Sequence, residues 1–302
     1  MHECNSYSVT DPKWKEHTMR IITKNSAILL IVICSTLLTG QAVAEKRVIL
    51  KPNRIEISYA KPQNPAHQGT YELLKERRVL ERFRNILSPL RLPRTLLLKT
   101  EGCDGESNAW YEESDYSVTV CYEYMEELKS NAPKTTTAGG VTPQDAIVGP
   151  VIEVFLHEVS HAMFDLLKVP ILGREEDAAD QVAAFLMLQL DKDIARKSIA
   201  GVAFMYGKEA QSENPKLERF ADVHGLSAQR LFNVLCLAYG ADPKLFGDVV
   251  EKGYLPKSRA EGCSGEFKQI DYAFKKLINP YIDEAVRKKV QPRKLLRPVE
   301  QK

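Results

Sequence analysis

Val151 to Asp180 reads VIEVFLHEVSHAMFDLLKVPILGREEDAAD, and within it His157-Glu158-Val159-Ser160-His161 spells H-E-x-x-H. Val151, Ile152, Val154, Phe155, Leu156, Val159, Ala162, Met163, Phe164, Leu166 and Leu167 make the surrounding run apolar nearly all round. That is the pattern of a buried central helix. Residues four apart on a helix are rotated by only about 40° and lie one turn apart, so His157 and His161 project side by side, close enough to bind one Zn²⁺. Glu158, next to the first histidine, can reach the attacking water and take its proton, as a general base. At this chain's histidine and glutamate frequencies the pattern would arise by chance in about one chain of this length in a hundred. The plainer alternative makes both histidines hydrogen-bonded core residues and turns Glu158 to solvent. Burying two histidines and a glutamate on such a helix without partners is costly, which weighs against it.

Two histidines do not hold a catalytic zinc, so a third ligand is required. Gly173-Arg174-Glu175-Glu176-Asp177-Ala178-Ala179-Asp180 follows a break at Pro170 and Gly173. Its acids suit the positive end of a new helix. Glu176 and Asp180 are four apart and share a face, which Ala179 and Ala183 keep slim, so this helix can approach the first closely. Glu176 is therefore assigned as the third metal ligand, and Asp180 as acceptor of the other ring N–H of a ligating histidine. Helix capping accounts for Glu175 and Asp177. The choice of Glu176 over Glu175 stays open on the sequence.

H-E-x-x-H followed by E-x-x-x-D on a second helix resembles the gluzincin branch of zinc metallopeptidases, to which thermolysin belongs. More closely, HEVSHAMFDLLKVPILGREEDAADQVA, with TVCYEY before it and ADVHGLSAQRLFNVLCLAYGADP after it, resembles a bacterial family described as metallopeptidases, a domain of unknown function. The likeness spans Arg47 to Tyr272. It implies an α+β fold of zincin type, mostly helical with a small N-terminal sheet, and one catalytic Zn²⁺ per chain. It also implies a peptide or protein substrate, without saying which. Gluzincins often use a late histidine to stabilise the oxyanion of the tetrahedral intermediate, and His224 in ADVHG is the candidate. The bland reading ties His224 to a nearby carboxylate such as Asp222. Arg230 would anchor a substrate carboxylate or pair with an acid.

The chain has 302 residues, 44% apolar and 27% charged, an ordinary globular composition with ample length for a core. Its formal net charge of +2 argues against a nucleic-acid or membrane-surface protein. Residues 1–44 read as an N-terminal extension and a signal peptide, with the expected start at Met19. Arg20 and Lys24 precede an apolar run from Ala27 to Leu38, and Ala42-Val43-Ala44 forms a cleavage site. The run falls short of the roughly 20 residues a spanning helix needs, which favours cleavage after Ala44 over an anchor. The expectation is an exported bacterial protein, periplasmic or secreted, with no stable membrane span after cleavage.

Cleavage removes Cys4 and Cys34 and leaves Cys103, Cys121, Cys236 and Cys263. An even number in an exported chain suggests two disulfides. Of three possible pairings, Cys103–Cys121 and Cys236–Cys263 are favoured because each pair lies within one local segment.

Residues 45–286 are expected to form the catalytic domain and residues 287–302 a basic, poorly ordered tail. Strands are expected over 48–58, 95–100, 109–111 and 117–122. Helices are expected over 70–87, 122–129 and 194–207, in the two metal-site segments, over 228–239, and as a hairpin of 259–263 with 267–277. Ser117–Cys121 reads as a sheet-edge strand that could pair with an extended peptide, or as an ordinary core strand. The polar loop 131–142 is expected near the active site. A metal-binding protein without turnover, a metal-free envelope scaffold, and a non-peptide amide or ester substrate remain as alternatives. The oligomeric state is not legible.

Overall fold

The computed structural model describes residues 49–214 and 216–290; the signal segment with Cys4 and Cys34, and the tail beyond residue 290, lie outside the described residues. Alternation in the sequence builds the N-terminal sheet. In β1 (Ile55–Tyr59) and β2 (Leu96–Glu101) every second side chain turns inward. β3 (Ala109–Glu112) and β4 (Ser117–Cys121) complete four strands in the order β1-β2-β4-β3. β2 pairs in parallel with β1 and β4, and β3 closes an antiparallel hairpin with β4.

Ser117–Cys121 is thus an interior strand, with all five residues buried, and the edge on that side belongs to β3. SVTVC has no charged side chain that demands water, so both of its faces can be covered. β1 is also shorter than the expected 48–58 strand: Pro52 interrupts the run and Asn53 takes a left-handed φ of 59°.

The single helix expected over 70–87 is two, α1 (Gln68–Glu76) and α2 (Val79–Leu87). Arg78 breaks them apart at φ 53°. A strand residue makes the break worthwhile: the Tyr59 hydroxyl accepts the Leu80 amide at 2.7 Å and donates to Glu81 at 2.8 Å. It thereby satisfies one of the amides that a helix start leaves open. α3 (Tyr122–Asn131) follows β4 directly, and the Cys103–Cys121 disulfide ties that junction to the end of β2. Glu123 accepts the amides of Cys103 and Gly105, which fixes the intervening turn.

The centre of the fold is α4 (Asp145–Leu167), 23 residues long. By length and composition alone it could cross a membrane, but most of it is buried among the other elements. α5 (Glu175–Leu188) folds back on it through a turn at Lys168 and Gly173, and α6 (Lys192–Ser212) packs along it. Gly149 of α4 and Gly201 of α6 set the α4–α6 distance. A Cβ on Gly201 would collide with the Asp145 carbonyl, and one on Gly149 with the Ser198 carbonyl. Gly201→Ala should therefore force the central helices apart and cost about 1–3 kcal/mol or more. Gly265→Ala meets nothing within 4 Å and should be neutral or slightly stabilising, as alanine is the better helix former. Thermal melting of the two variants checks this; equal melting temperatures would refute the close-packing account.

α7 (Leu217–Phe220) is a single turn, and α8 (Ser227–Ala241) packs on α5 and α6. After α9 (Asp248–Glu251) the chain forms α10 (Lys257–Leu277), one unbroken helix of 21 residues where a hairpin was expected. The second disulfide, Cys236–Cys263, staples α8 to α10, so both expected pairs form. α11 (Glu284–Lys289), capped by the Asp283 side chain on the Val286 amide, occupies the first residues assigned to a disordered tail. The loop 131–142 enters α4 at its N-terminal end. Fifteen residues separate Thr142 from His157, a rise of about 22 Å along a helix, so the loop does not approach H-E-x-x-H along this helix.

Candidate metal centre

α4 presents His157 and His161 from successive turns, and the first turns of α5 bring Glu175, Glu176 and Asp180 against them. The short break of Pro170–Gly173 and the alanines at 179 and 183, both fully buried, permit that close approach. Glu176 Oε2 lies 3.0 Å from His157 Nε2 and 3.3 Å from His161 Nε2, and the two Nε2 atoms are 3.1 Å apart. A third ring joins them. His224, on the segment between α7 and α8, places Nε2 at 2.9 Å from the same Glu176 oxygen.

Each ring has a carboxylate behind it. His157 Nδ1 meets Asp180 Oδ1 at 2.8 Å, His161 Nδ1 meets Glu175 Oε1 at 2.8 Å, and His224 Nδ1 lies 3.3 Å from Asp222 Oδ1. An ionised carboxylate only accepts, so each Nδ1 is a donor. In the neutral rings Nε2 then carries a lone pair, and all three lone pairs converge on the Glu176 carboxylate. Such a cluster of acceptors repels itself unless something positive sits among them. Protons can serve. Burial alone would lower the His157 pKa, but the hydrogen bonds to Asp180 and Glu176 outweigh it and lift it to about 10. Burial raises Glu176, yet the three imidazoles hold its carboxyl well below the usual carboxylate range.

A divalent cation serves better, and the residues fit one. The separations of 3.0, 3.1 and 3.3 Å among His157, His161 and Glu176 match the edge of about 3.3 Å in a tetrahedron with metal–ligand bonds of about 2.0–2.1 Å. Imidazole with one carboxylate is a donor set that zinc accepts.

Beneath His157 runs a buried charged network. Arg230, in the first turn of α8, donates from Nε to Asp180 Oδ2 at 2.7 Å and from Nη2 to Oδ1 at 2.5 Å. Its guanidinium lies over the Tyr206 ring at 4.5 Å and 3.7 Å from Glu153, which accepts the Tyr206 hydroxyl at 2.8 Å. Arg230 therefore pairs with an acid and is not free to anchor a substrate. Burial would raise Asp180, but His157 and Arg230 bring it down to about 2. Burial raises Glu153, and Arg230 only partly offsets this.

Glu158 differs from its neighbours. It is 8% exposed, and among the described residues none hydrogen-bonds its carboxylate. Burial raises its pKa, with His157 and His161 pulling the other way.

The structure thus brings His157, His161, Glu176, Asp180 and His224 together, with Glu158 beside them. Sequence reading missed Glu175 as the partner of His161, and it missed Glu153 and Tyr206. Glu153 left a trace: a lone acid four residues before His157 in an apolar run. A helix hairpin that carries H-E-x-x-H and E-x-x-x-D around one donor cluster is the signature of a metallopeptidase-type site. Over residues 59–278 the chain matches the DUF4344 family, described as "Putative metallopeptidase", and it belongs to that family. No curated protein and no solved structure matches it.

Proposed function

We propose that this protein is an exported zinc-dependent peptidase, with the ion held by His157, His161 and Glu176. One observation carries the reading: three imidazole lone pairs and a carboxylate converge on one point, each ring braced from behind by its own acid. A zinc ion at that point would supply Lewis acidity, lowering the pKa of a water and polarising the scissile carbonyl.

The rest is the work of the chain. Glu158 accepts the proton of the attacking water and later hands it to the leaving amine. Its burial suits this, because desolvation raises the carboxyl and makes it the stronger base. Asp180 and Glu175 hold the rings in one tautomer. β3, one of the two edge strands of the sheet, packs near α4, and Tyr111 donates to Asp165 at 2.7 Å, one turn beyond His161. An extended peptide adding to β3 would lie along the metal helix, so the strand-addition role moves from β4 to β3. Two disulfides agree with an oxidising compartment outside the cytoplasm. The oxyanion role of His224 requires its ring to leave Glu176 first.

Zinc content with peptide turnover tests the proposal. The expected result is one zinc in the wild type and in Glu158→Gln, and none in His161→Ala. Glu158→Gln should lose about 10²–10⁴ in turnover while keeping its metal. Absence of zinc from all three, even after reconstitution, would end the peptidase reading. A second reading, a metal protein without turnover, draws support from one contact: His224 stands where an open position would be needed. The unengaged Glu158 argues against it, since a purely structural site has no use for a base.

A further inference from the structure

We infer that His224 is a fourth protein donor to the centre, carried on a strap that must swing away before a substrate carbonyl can enter. The inference rests on the proposed metal centre and adds a closed state to it.

Three observations place His224 among the donors. Its Nε2 is 2.9 Å from Glu176 Oε2, the shortest of the ring contacts to that oxygen. Its ring lies stacked at 6.2 Å from His157, and both rings aim Nε2 at the same carboxylate oxygen. Asp222 is placed behind its Nδ1, as Asp180 and Glu175 are behind theirs, and also accepts the His224 amide at 2.8 Å. A histidine serving only as a surface partner of Asp222 would not need to aim its other nitrogen into the cluster. Three histidines and one glutamate make a complete four-coordinate set, and a site with four protein ligands has no place for water or substrate.

The four donors are not equally held. The side chains of His157, His161 and Glu176 are 5, 14 and 21% exposed and stand on long packed helices. His224 is 41% exposed, on a segment whose only helix, α7, buries no side chain. Leu217, Phe220 and Val223 of that segment face solvent. Its ties are polar: Arg219 donates to Glu213, which also accepts the Ser227 amide of α8, and to the Gly225 carbonyl, and lies 3.3 Å from Asp222. Gly225, next to His224, lines an open cleft of about 440 Å³ rather than a packed wall. Among the donors, His224 is the most exposed.

Cobalt substitution and zinc competition titration test this on the full protein. His224→Gly should alter the visible cobalt spectrum and weaken zinc binding by at least about tenfold, since even loss of a bracing partner costs that much. Added imidazole should restore both. Acetohydroxamate, a bidentate probe of the open position, should bind the cobalt form of His224→Gly at least about tenfold more tightly than the wild type. His224→Gln, which keeps a polar side chain on the strap, should behave like the glycine variant, which separates loss of the donor from loss of the loop's shape. A wild-type spectrum, zinc affinity and acetohydroxamate affinity in His224→Gly, with metal lost in His161→Ala, would remove His224 from the centre and leave the centre standing. Unchanged metal binding in His161→Ala would overturn the centre and the strap together.

Discussion

At the zinc concentration that saturates the wild type, Glu176→Ala should take up no stoichiometric zinc, while Glu175→Ala should retain it with an affinity lower by about 10–100-fold. The two glutamates are adjacent, yet the structure gives them different work. Glu176 Oε2 is the atom on which three ring nitrogens converge, at 2.9 to 3.3 Å. Glu175 reaches only the back of His161, and its side chain is 53% exposed. Deleting Glu176 removes the single anionic donor, leaving imidazoles alone, which bind a divalent cation far more weakly. Deleting Glu175 leaves every donor in place and costs only the fixing of one ring. Zinc competition titration separates the two cases, and so does thermal stability. A ligand at a hundred times its dissociation constant stabilises the folded state by about 2.7 kcal/mol. That increment should persist in Glu175→Ala at saturating zinc and vanish in Glu176→Ala. The reverse outcome would move the ligand to Glu175.

Arg230→Met should be among the most destabilising single changes in the chain, by about 3 kcal/mol or more in urea unfolding of the metal-free protein. The guanidinium forks onto Asp180 and approaches Glu153, both largely buried, while its face rests on Tyr206. Removing it leaves two acids in a poorly hydrated space with no cation between them. Methionine fills most of the volume, so the loss reports charge and hydrogen bonding rather than a cavity. Lysine keeps the charge but not the planar fork, and Arg230→Lys should fall between. Zinc affinity should drop as well, because Asp180 then holds His157 less firmly. Unfolding within 1 kcal/mol of the wild type, by the same ~1 kcal/mol margin that separates exposed from buried ion pairs, would show that the network is not a stabilising element.

The donor hairpin was legible because its spacing is a consequence of helix geometry. H-E-x-x-H and E-x-x-x-D each place two groups on one face, and the short break between them forces two helices to meet. The disulfides were legible for a similar reason, each joining cysteines that locality already favours. What could not be read depends on contacts between distant segments. The break at Arg77 and Arg78 is stabilised by Tyr59 of another strand. The strand order that makes β3 an edge follows from pairing choices that composition does not reveal. The role of Arg230 follows from a contact with a residue 50 positions earlier. α10 runs through Ser264 and Gly265, which look like a break, because Cys263 beside them is buried and tied to α8.

The histidine–glutamate contacts within the α4–α5 hairpin join residues only 14 and 19 apart in sequence, whereas Asp180 and Arg230 are separated by 50. Closing a short loop costs less chain entropy than closing a long one, and local contacts form sooner. The contacts of His157 and His161 with α5 are therefore cheaper to close than those that bring in His224 and Arg230. The cation that braces the cluster from below comes from chain made later.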